Sequence, residues 1–312
     1  MGFKLTILGS NSARPILARR PSAQILQANQ EMFLIDCGEG TQVQMIKYGI
    51  KSSKINHIFI SHLHGDHYLG LIGLLDTFAL SGRQAPMHIY APPMLEKVLD
   101  LHHQISGFPS PYPIVFHPLI ADQSRIIYNT PELTVSTVVL SHRVPCTGFV
   151  FRELPLARHL LKAKALEYNI PFTDISDIKK GNDYTLPDGI VIPNEELTDA
   201  NRPPYSYAYC SDTAYFPDIL PHIQNVSVLY HEATYLQDKI SKAAIRGHAT
   251  AQEAAAIALQ ANAERLILGH FSSSYQDLNP FLTEARPTFA QTYIAIEGKT
   301  FDFKDKEWTN EL

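Results

Sequence analysis

Residues 58–70 read IFISHLHGDHYLG, which places three histidines and an aspartate within six positions, directly after an apolar run. The preceding string KINHIFISH has the β-branched and aromatic content of a strand that ends at the cluster. In a tight loop His62 and His64 can point at one cation, while Asp66 and His67 turn toward a neighbouring one. Gly65 allows the sharp turn between the two pairs. Imidazole and carboxylate donors suit zinc, and manganese or iron would also fit.

Other strands along the chain end in the same way. LTVSTVVLSH runs apolar into His142, PYSYAYCSDTAYF into Asp212, NVSVLYHEATY into His231–Glu232 and RLILGHFSSSY into His270. FKLTILGS, SAQILQA, EMFLIDCGEG and PMHIYAP read as further strands. LGLIGLLDTFALSG, MLEKVLDLHHQI and TAQEAAAIALQANA carry helical patterns, and Gly82 closes the first. Strands and helices in this order give a layered α/β fold, in which residues at strand ends share one rim. The first loop supplies too few ligands for two ions, and the later strand ends offer the rest. His62, His64 and His142 are assigned to one ion, and Asp66, His67 and His270 to the other. Asp212 bridges them, because a carboxylate has two oxygens to share and an imidazole does not. His88, His102, His103, His117, His159 and His222 lack such a setting and read as surface or core residues.

Composition narrows the class. The 312 residues are 45% hydrophobic and 18% charged, as in a soluble globular protein, and the length allows one large domain or two small ones, of which a single domain over residues 1–312 is expected. No apolar run approaches the roughly 20 residues that span a bilayer. MGFKLTILGS turns polar too soon for a secretory signal, so a cytoplasmic protein without a membrane partner is expected. The three cysteines form no CxxC pair, which argues against a disulfide framework and a cysteine zinc site. A net charge of −5 gives no general reason for nucleic-acid binding. A nucleic-acid partner would need a local basic surface, or would be held by its chemistry at a metal. Segment 152–195 breaks the rhythm of strands and helices and reads as an inserted arm. From Arg152 to Lys180 it has a modest excess of positive charge.

The strings LIDCGEGTQ (34–42) and SHLHGDH (61–67), followed by His142, Asp212 and Gly269–His270, resemble the metallo-β-lactamase superfamily over nearly the whole chain. LYHEATY (229–235) with GHAT (247–250) resembles its ribonuclease Z branch. The resemblance implies a four-layer αββα sandwich with two zincs per chain at one rim. It also implies a homodimer, in which the protruding arm of one subunit, here 152–195, grips a precursor tRNA that the other subunit cuts.

The same residues suit phosphodiester hydrolysis. Two cations about 3.5–4 Å apart would activate a water and neutralise charge at phosphorus. Asp66 can accept or steer the proton of that water. His248 is either the acid for the departing ribose oxygen, with Glu232 holding its imidazole charged, or a cap neighbour with Glu232 as a structural partner, and the resemblance favours the acid. Thr250 and Glu253 read as a capping box opening a helix whose free N–H groups suit a phosphate. Asp36 either orients a ligand histidine or its loop, or merely stabilises the DCGEG turn. The activity that the resemblance implies is removal of 3′ trailers from tRNA precursors by hydroxide attack, leaving a 3′-hydroxyl. The alternative is a hydrolase of small phosphodiesters or sulfate esters.

Three departures from the family pattern touch RNA binding. HFSSSYQ places Ser274 where the family commonly has arginine. PILARR keeps Pro15 and Arg19 but has Leu17 and Arg20 at the family's lysine and asparagine positions. PFTDISDIKKG has Phe172–Thr173 in place of a Gly-Pro pair. Arg19, Thr250, Ser274, Lys179 and Lys180 are therefore weaker candidates for phosphate or RNA contact than the metal ligands are for metal.

Overall fold

Alternation along the first strands feeds two different cores. In β1 (Phe3–Gly9), Phe3, Leu5 and Ile7 join one core and Leu8 the other. In β2 (Ala23–Ala28) and β3 (Glu31–Cys37), Leu26, Phe33 and Ile35 join the first, while Ile25 and Leu34 join the second. A strand that is apolar on both faces must be covered on both. A computed structural model, which describes residues 2–107 and 110–310, shows the two covers.

The chain continues through α1 (Thr41–Lys47), β4 (Ile55–Phe59), α2 (Gly65–Tyr68), α3 (Leu71–Leu80), β5 (Met87–Ala91), α4 (Met94–Ser106) and β6 (Ile114–Pro118). A second set of strands follows: β7 (Ile126–Asn129), β8 (Leu133–Leu140) and β9 (Cys146–Glu153). An excursion then holds β10 (His159–Leu160), α5 (Lys162–Glu167), α6 (Ile175–Lys179), β11 (Tyr184–Thr185), β12 (Val191–Ile192), α7 (Asn194–Leu197) and β13 (Thr198–Asp199). The chain returns through β14 (Ser206–Cys210), α8 (Leu220–Ile223), β15 (Val228–Glu232), α9 (Ile240–Arg246) and α10 (Ala251–Gln260). It closes with β16 (Arg265–Gly269), α11 (Asn279–Ala285), β17 (Thr292–Ile294) and β18 (Thr300–Asp302).

Two seven-stranded sheets result, in the orders β18–β1–β2–β3–β4–β5–β6 and β17–β16–β15–β14–β9–β8–β7. Each is half antiparallel and half parallel, with β3 to β6 parallel in one and β14 to β17 parallel in the other. Between the sheets Phe33 meets Phe151 with ring centroids 5.5 Å apart, and Phe59 meets Phe149 at 5.3 Å. Truncating one of these buried rings to alanine would cost about 3–5 kcal/mol.

Outside the first sheet lie α3 and α4. Leu71, Leu74, Leu75 and Phe78 of α3 are buried at the three- and four-residue spacing of one helix face. Gly82, at φ 75°, ends that helix as the sequence suggested: its N–H reaches the Ala79 carbonyl and the Arg83 N–H the Phe78 carbonyl. Outside the second sheet, α10 contributes Ala254, Ala255 and Ala258, and α11 contributes Phe281 and Leu282. The fold is the expected αββα sandwich.

The excursion leaves the second sheet after Glu153 and rejoins it at Ser206. The segment 152–195 therefore begins inside β9 and stops short of the ladder between β10 and β13 that closes the excursion. Ile178, Ile192 and Leu197 give it a small core of its own.

Candidate metal centre

The strand β15 ends on Glu232, and β4, β8, β14 and β16 are followed within three residues by His62, His142, Asp212 and His270, all at one rim. Two glycines explain how the first histidine loop packs there. A Cβ on Gly38 would lie 2.4 Å from the Asp66 carbonyl oxygen, and one on Gly70 would lie 2.2 Å from that of Gly38. Only bare backbone lets the turn after β3 press against the loop carrying Asp66 and His67. Asp36 and His270 adopt φ values of 55° and 59°. Left-handed conformations at such residues are strained by roughly 1–3 kcal/mol each, and strain of this kind gathers at functional sites.

The seven sequence-assigned ligands converge in two groups. In the first, His62 Nε2 lies 3.0 Å from His64 Nδ1, and His142 Nε2 lies 3.2 Å from the same atom. Asp212 Oδ2 stands 3.6 Å from His62 Nε2 and 3.7 Å from His142 Nε2. In the second, His67 Nε2 and His270 Nε2 are 3.3 Å apart, and Asp66 Oδ2 lies 3.5 and 3.3 Å from them. Asp212 Oδ1 lies 3.3 Å from His67 Nε2 and 3.2 Å from His270 Nε2. Four ligands held tetrahedrally about 2.0–2.1 Å from a zinc ion lie about 3.3–3.4 Å from one another. Both groups have nearly those edges. The buried Asp212 Oδ1 makes no hydrogen bond, and a buried carboxylate oxygen is rarely left so. A cation between these atoms would complete it.

Electrostatics favour the same arrangement. Burial lowers the pKa of His62, His64 and His142, which keeps them neutral and able to ligate. Burial also acts against charge on His67, but Asp212, Asp66 and Asp36 outweigh it and raise that pKa. The pocket thus concentrates negative charge where a dication would sit.

Outer contacts fix the rings. Asp36 Oδ2 accepts from His67 Nδ1 at 2.7 Å and from the Tyr209 hydroxyl at 2.6 Å. Its Oδ1 accepts the Ser61 N–H at 2.8 Å. His142 Nδ1 donates to the Gly247 carbonyl at 2.7 Å, and His270 Nδ1 lies 2.9 Å from Thr234 Oγ1. Each contact leaves Nε2 facing the centre.

Glu232 and His248 form a second buried pair. His248 Nδ1 lies 2.7 Å from Glu232 Oε1. The carboxylate is also held by the N–H groups of Thr213 and Thr234, both at 3.0 Å. Burial lowers the His248 pKa, but the Glu232 charge and hydrogen bond prevail and raise it to about 9. His248, Asp66 and Asp212 line a cleft of about 440 Å³ that opens over the two donor groups.

The weaker candidates for RNA contact lie elsewhere. Arg19 is buried, with Nε on Asn11 Oδ1 at 3.0 Å and Nη2 on the Tyr275 carbonyl at 2.6 Å, so its guanidinium is consumed inside the protein. Thr250 does form the capping box with Glu253. Even so, the N–H groups expected to bind phosphate are taken: Ala251 donates to the Tyr235 carbonyl, Gln252 to Glu284 and Glu253 to Thr250. The reading of this helix terminus as an anion site is corrected for that reason. Ser274 is exposed beside Ser272, and Lys179 and Lys180 lie in the excursion. Arg14, Arg143 and Arg246 line the cleft and had not been singled out. Their signal was position: Arg143 follows His142 and Arg246 precedes His248 by two residues, so the rim must carry them too.

Residues 3–107 match the family model described as Anti-Pycsar protein Apyc1. The chain is 41% identical over 296 residues to ribonuclease Z of Bacteroides fragilis, covering 95% of this chain and 97% of that one. It is 42% identical over 300 residues to ribonuclease Z of Porphyromonas gingivalis, covering 96% and 99%. The crystal structure of human tRNase Z, short form, superposes with a TM-score of 0.70 at 27% identity, covering 96% of this chain and 98% of that one. The metallo-β-lactamase fold protein YhfI from Bacillus subtilis does so at 0.66 and 19%, covering 97% and 100%. By near full-length identity above 40%, on this fold and around this rim, the chain belongs to the ribonuclease Z family.

Proposed function

We propose that the chain is a zinc-dependent endoribonuclease that removes 3′ trailers from tRNA precursors. The observation that carries this is Asp212, whose two oxygens each complete a separate near-tetrahedral donor group beside a charged histidine. His62, His64, His142 and Asp212 would hold one ion, and Asp66, His67, His270 and Asp212 the other. Zinc suits these nitrogen and oxygen donors at tetrahedral spacing better than manganese, which prefers more oxygen ligands. When bound, such a pair lowers the pKa of a shared water and neutralises charge developing at phosphorus.

The side chains do the rest. Asp66, on the cleft wall, takes up the proton released by the attacking water. Asp36 holds His67 in the tautomer that leaves Nε2 free. Glu232 keeps His248 protonated, and the free Nε2 of His248 gives its proton to the departing ribose 3′-oxygen. The tRNA therefore keeps a 3′-hydroxyl, and the trailer leaves with a 5′-phosphate.

We place the enzyme in the cytoplasm as a homodimer in which the excursion of one subunit supports the tRNA cut by the other. Three buried free thiols suit a reducing compartment, and among the described residues no helix is long and apolar enough to cross a membrane. Phe172 is 88% exposed in the excursion and offers an apolar contact to RNA. The test is cleavage of a defined tRNA precursor with mapped ends, with bis-p-nitrophenyl phosphate in parallel, metal analysis and sedimentation. A 3′-hydroxyl at the trailer junction and two zincs per chain are expected. Cyclic phosphate ends, or cleavage of the small diester alone, would reject the reading.

A further inference from the structure

The chain has twelve arginines. Nine hold their guanidinium against other parts of the protein: Arg83 on Asn56 and nearby carbonyls, Arg202 on Glu153 and Arg265 over Trp308 are examples. Arg19, Arg20, Arg125, Arg152, Arg158 and Arg286 are likewise engaged. The other three are not. Arg143 and Arg246 have no hydrogen bond or ion pair among the described residues, and Arg14 offers only Nε to Ser273 Oγ, at 3.3 Å. All three line the cleft over the metal ligands, where Glu39 is the one acid beside the ligand aspartates. A guanidinium presents five donors in a planar fork that matches a phosphate. Three guanidiniums that no carbonyl, carboxylate or ring holds are thus gathered where a strand of phosphates would lie.

Their placement distinguishes the two walls. The Gly247 carbonyl accepts from His142 Nδ1 at 2.7 Å, and a Cβ on Gly247 would lie 3.4 Å from Arg143 Cγ. Arg143 and Arg246 therefore sit together around His248. On the other wall, the Ala13 N–H donates to Asp66 Oδ2 at 2.7 Å, and Arg14 reaches across to Ser273. We infer that Arg143, Arg246 and Arg14 grip the phosphates flanking the scissile one, with Arg143 and Arg246 on its 5′ side and Arg14 on the trailer side. This rests on the ribonuclease reading above. His248 protonates the oxygen that stays with the 5′ product, so its wall faces that strand.

The test uses full-length, metal-loaded protein carrying Arg143→Ala, Arg246→Ala or Arg14→Ala. Precursor affinity is followed by fluorescence anisotropy at several salt concentrations, and turnover on precursor and on bis-p-nitrophenyl phosphate. Each variant should lower kcat/KM for the precursor about tenfold, through KM, and flatten the salt dependence of binding by about one ion. The loss on bis-p-nitrophenyl phosphate, with its single phosphate, should be much smaller. Arg143→Lys should recover part of the loss. The Arg14 effect should vanish when the trailer is cut to one nucleotide, while those of Arg143 and Arg246 persist. Equal losses on both substrates, or unchanged precursor binding and salt slope, would overturn the grip. If wild-type protein cuts no precursor but the variants still lose RNA affinity, the grip stands and the proposed reaction fails.

Discussion

In the excursion, residues 154–205 carry six basic side chains against eight acidic ones. Much of that charge is matched locally: Lys164 lies 3.0 Å from Glu167 and Lys180 2.8 Å from Asp177. Around the cleft, three arginines stand without carboxylate partners above buried histidines and aspartates. The excursion looks basic if reading stops at Lys180, and acidic once Asp183, Asp188, Glu195, Glu196 and Asp199 are included. Charge along a chain says little about where a phosphate binds. What matters is which charges are left without a partner, and among the described residues the two arginines without one, Arg143 and Arg246, line the cleft.

The comparison breaks most easily at its centre. Asp212→Asn removes the carboxylate that the two donor groups share. The expected result is loss of at least one metal ion per chain and a fall of roughly a thousandfold or more in hydrolysis of every phosphodiester. Metal analysis with bis-p-nitrophenyl phosphate turnover checks it. Full activity with full metal content would show that the cleft is not organised around this residue.

Next in size is the acid pair. His248→Ala should lower precursor turnover by about 10²–10⁴-fold with metal content unchanged. A drop in bound zinc would instead make His248 part of the metal site. The pH profile sharpens this. With its pKa held at about 9, above the ordinary 6.5, His248 carries the donating proton at neutral pH and loses it as pH rises through 9. Activity should show an alkaline limb there, and Glu232→Gln should move that limb toward acid by a unit or more. By the same sign, the stabilisation from the Glu232–His248 pair is fully present below about 6.5 and lost as pH climbs through 9.

The third effect acts through His67. Asp36 accepts from Ser61, His67 and Tyr209 at once, and an asparagine amide cannot satisfy all of them. Asp36→Asn should weaken metal binding about 10–100-fold, as measured by competition with a chelator, while small-diester turnover recovers at saturating zinc. No change in zinc affinity would return Asp36 to a purely local role in its turn.

Much of the centre was legible in the sequence for a physical reason. Strand-end residues in a layered α/β fold have little choice of position, so the ends of the apolar runs, with the spacing of the first histidine loop, already put His62, His142, Asp212 and His270 on one rim. Loops have no such constraint. Arg14 and Arg19 lie five residues apart in one loop, yet one faces the cleft and the other is buried on Tyr275, far along the chain. The start of α10 was misread for a related reason. The capping box is visible in sequence, but Glu284, which takes the Gln252 N–H, comes from α11 and left no local trace. Side-chain satisfaction is a tertiary property, and it decides which polar groups remain for a ligand.

The paired lysines of the excursion should give the smallest effect. Lys180 is tied to Asp177, and it shares the excursion with a surplus of acids, so it contributes little field at a distant phosphate. Exposed pairs of this kind are worth about 0–1 kcal/mol. Lys179→Ala combined with Lys180→Ala should therefore change precursor kcat/KM by no more than about threefold, with a nearly unaltered salt slope, against about one ion for each cleft arginine. Kinetics of this double variant beside Arg246→Ala at matched ionic strength make the measurement. A tenfold loss from the lysines would mean that the tRNA body pulls Lys180 away from Asp177 and exploits charge that the free protein keeps paired. The excursion would then be a second electrostatic site rather than a mainly apolar support, and the contrast between the two regions would hold only before RNA binds.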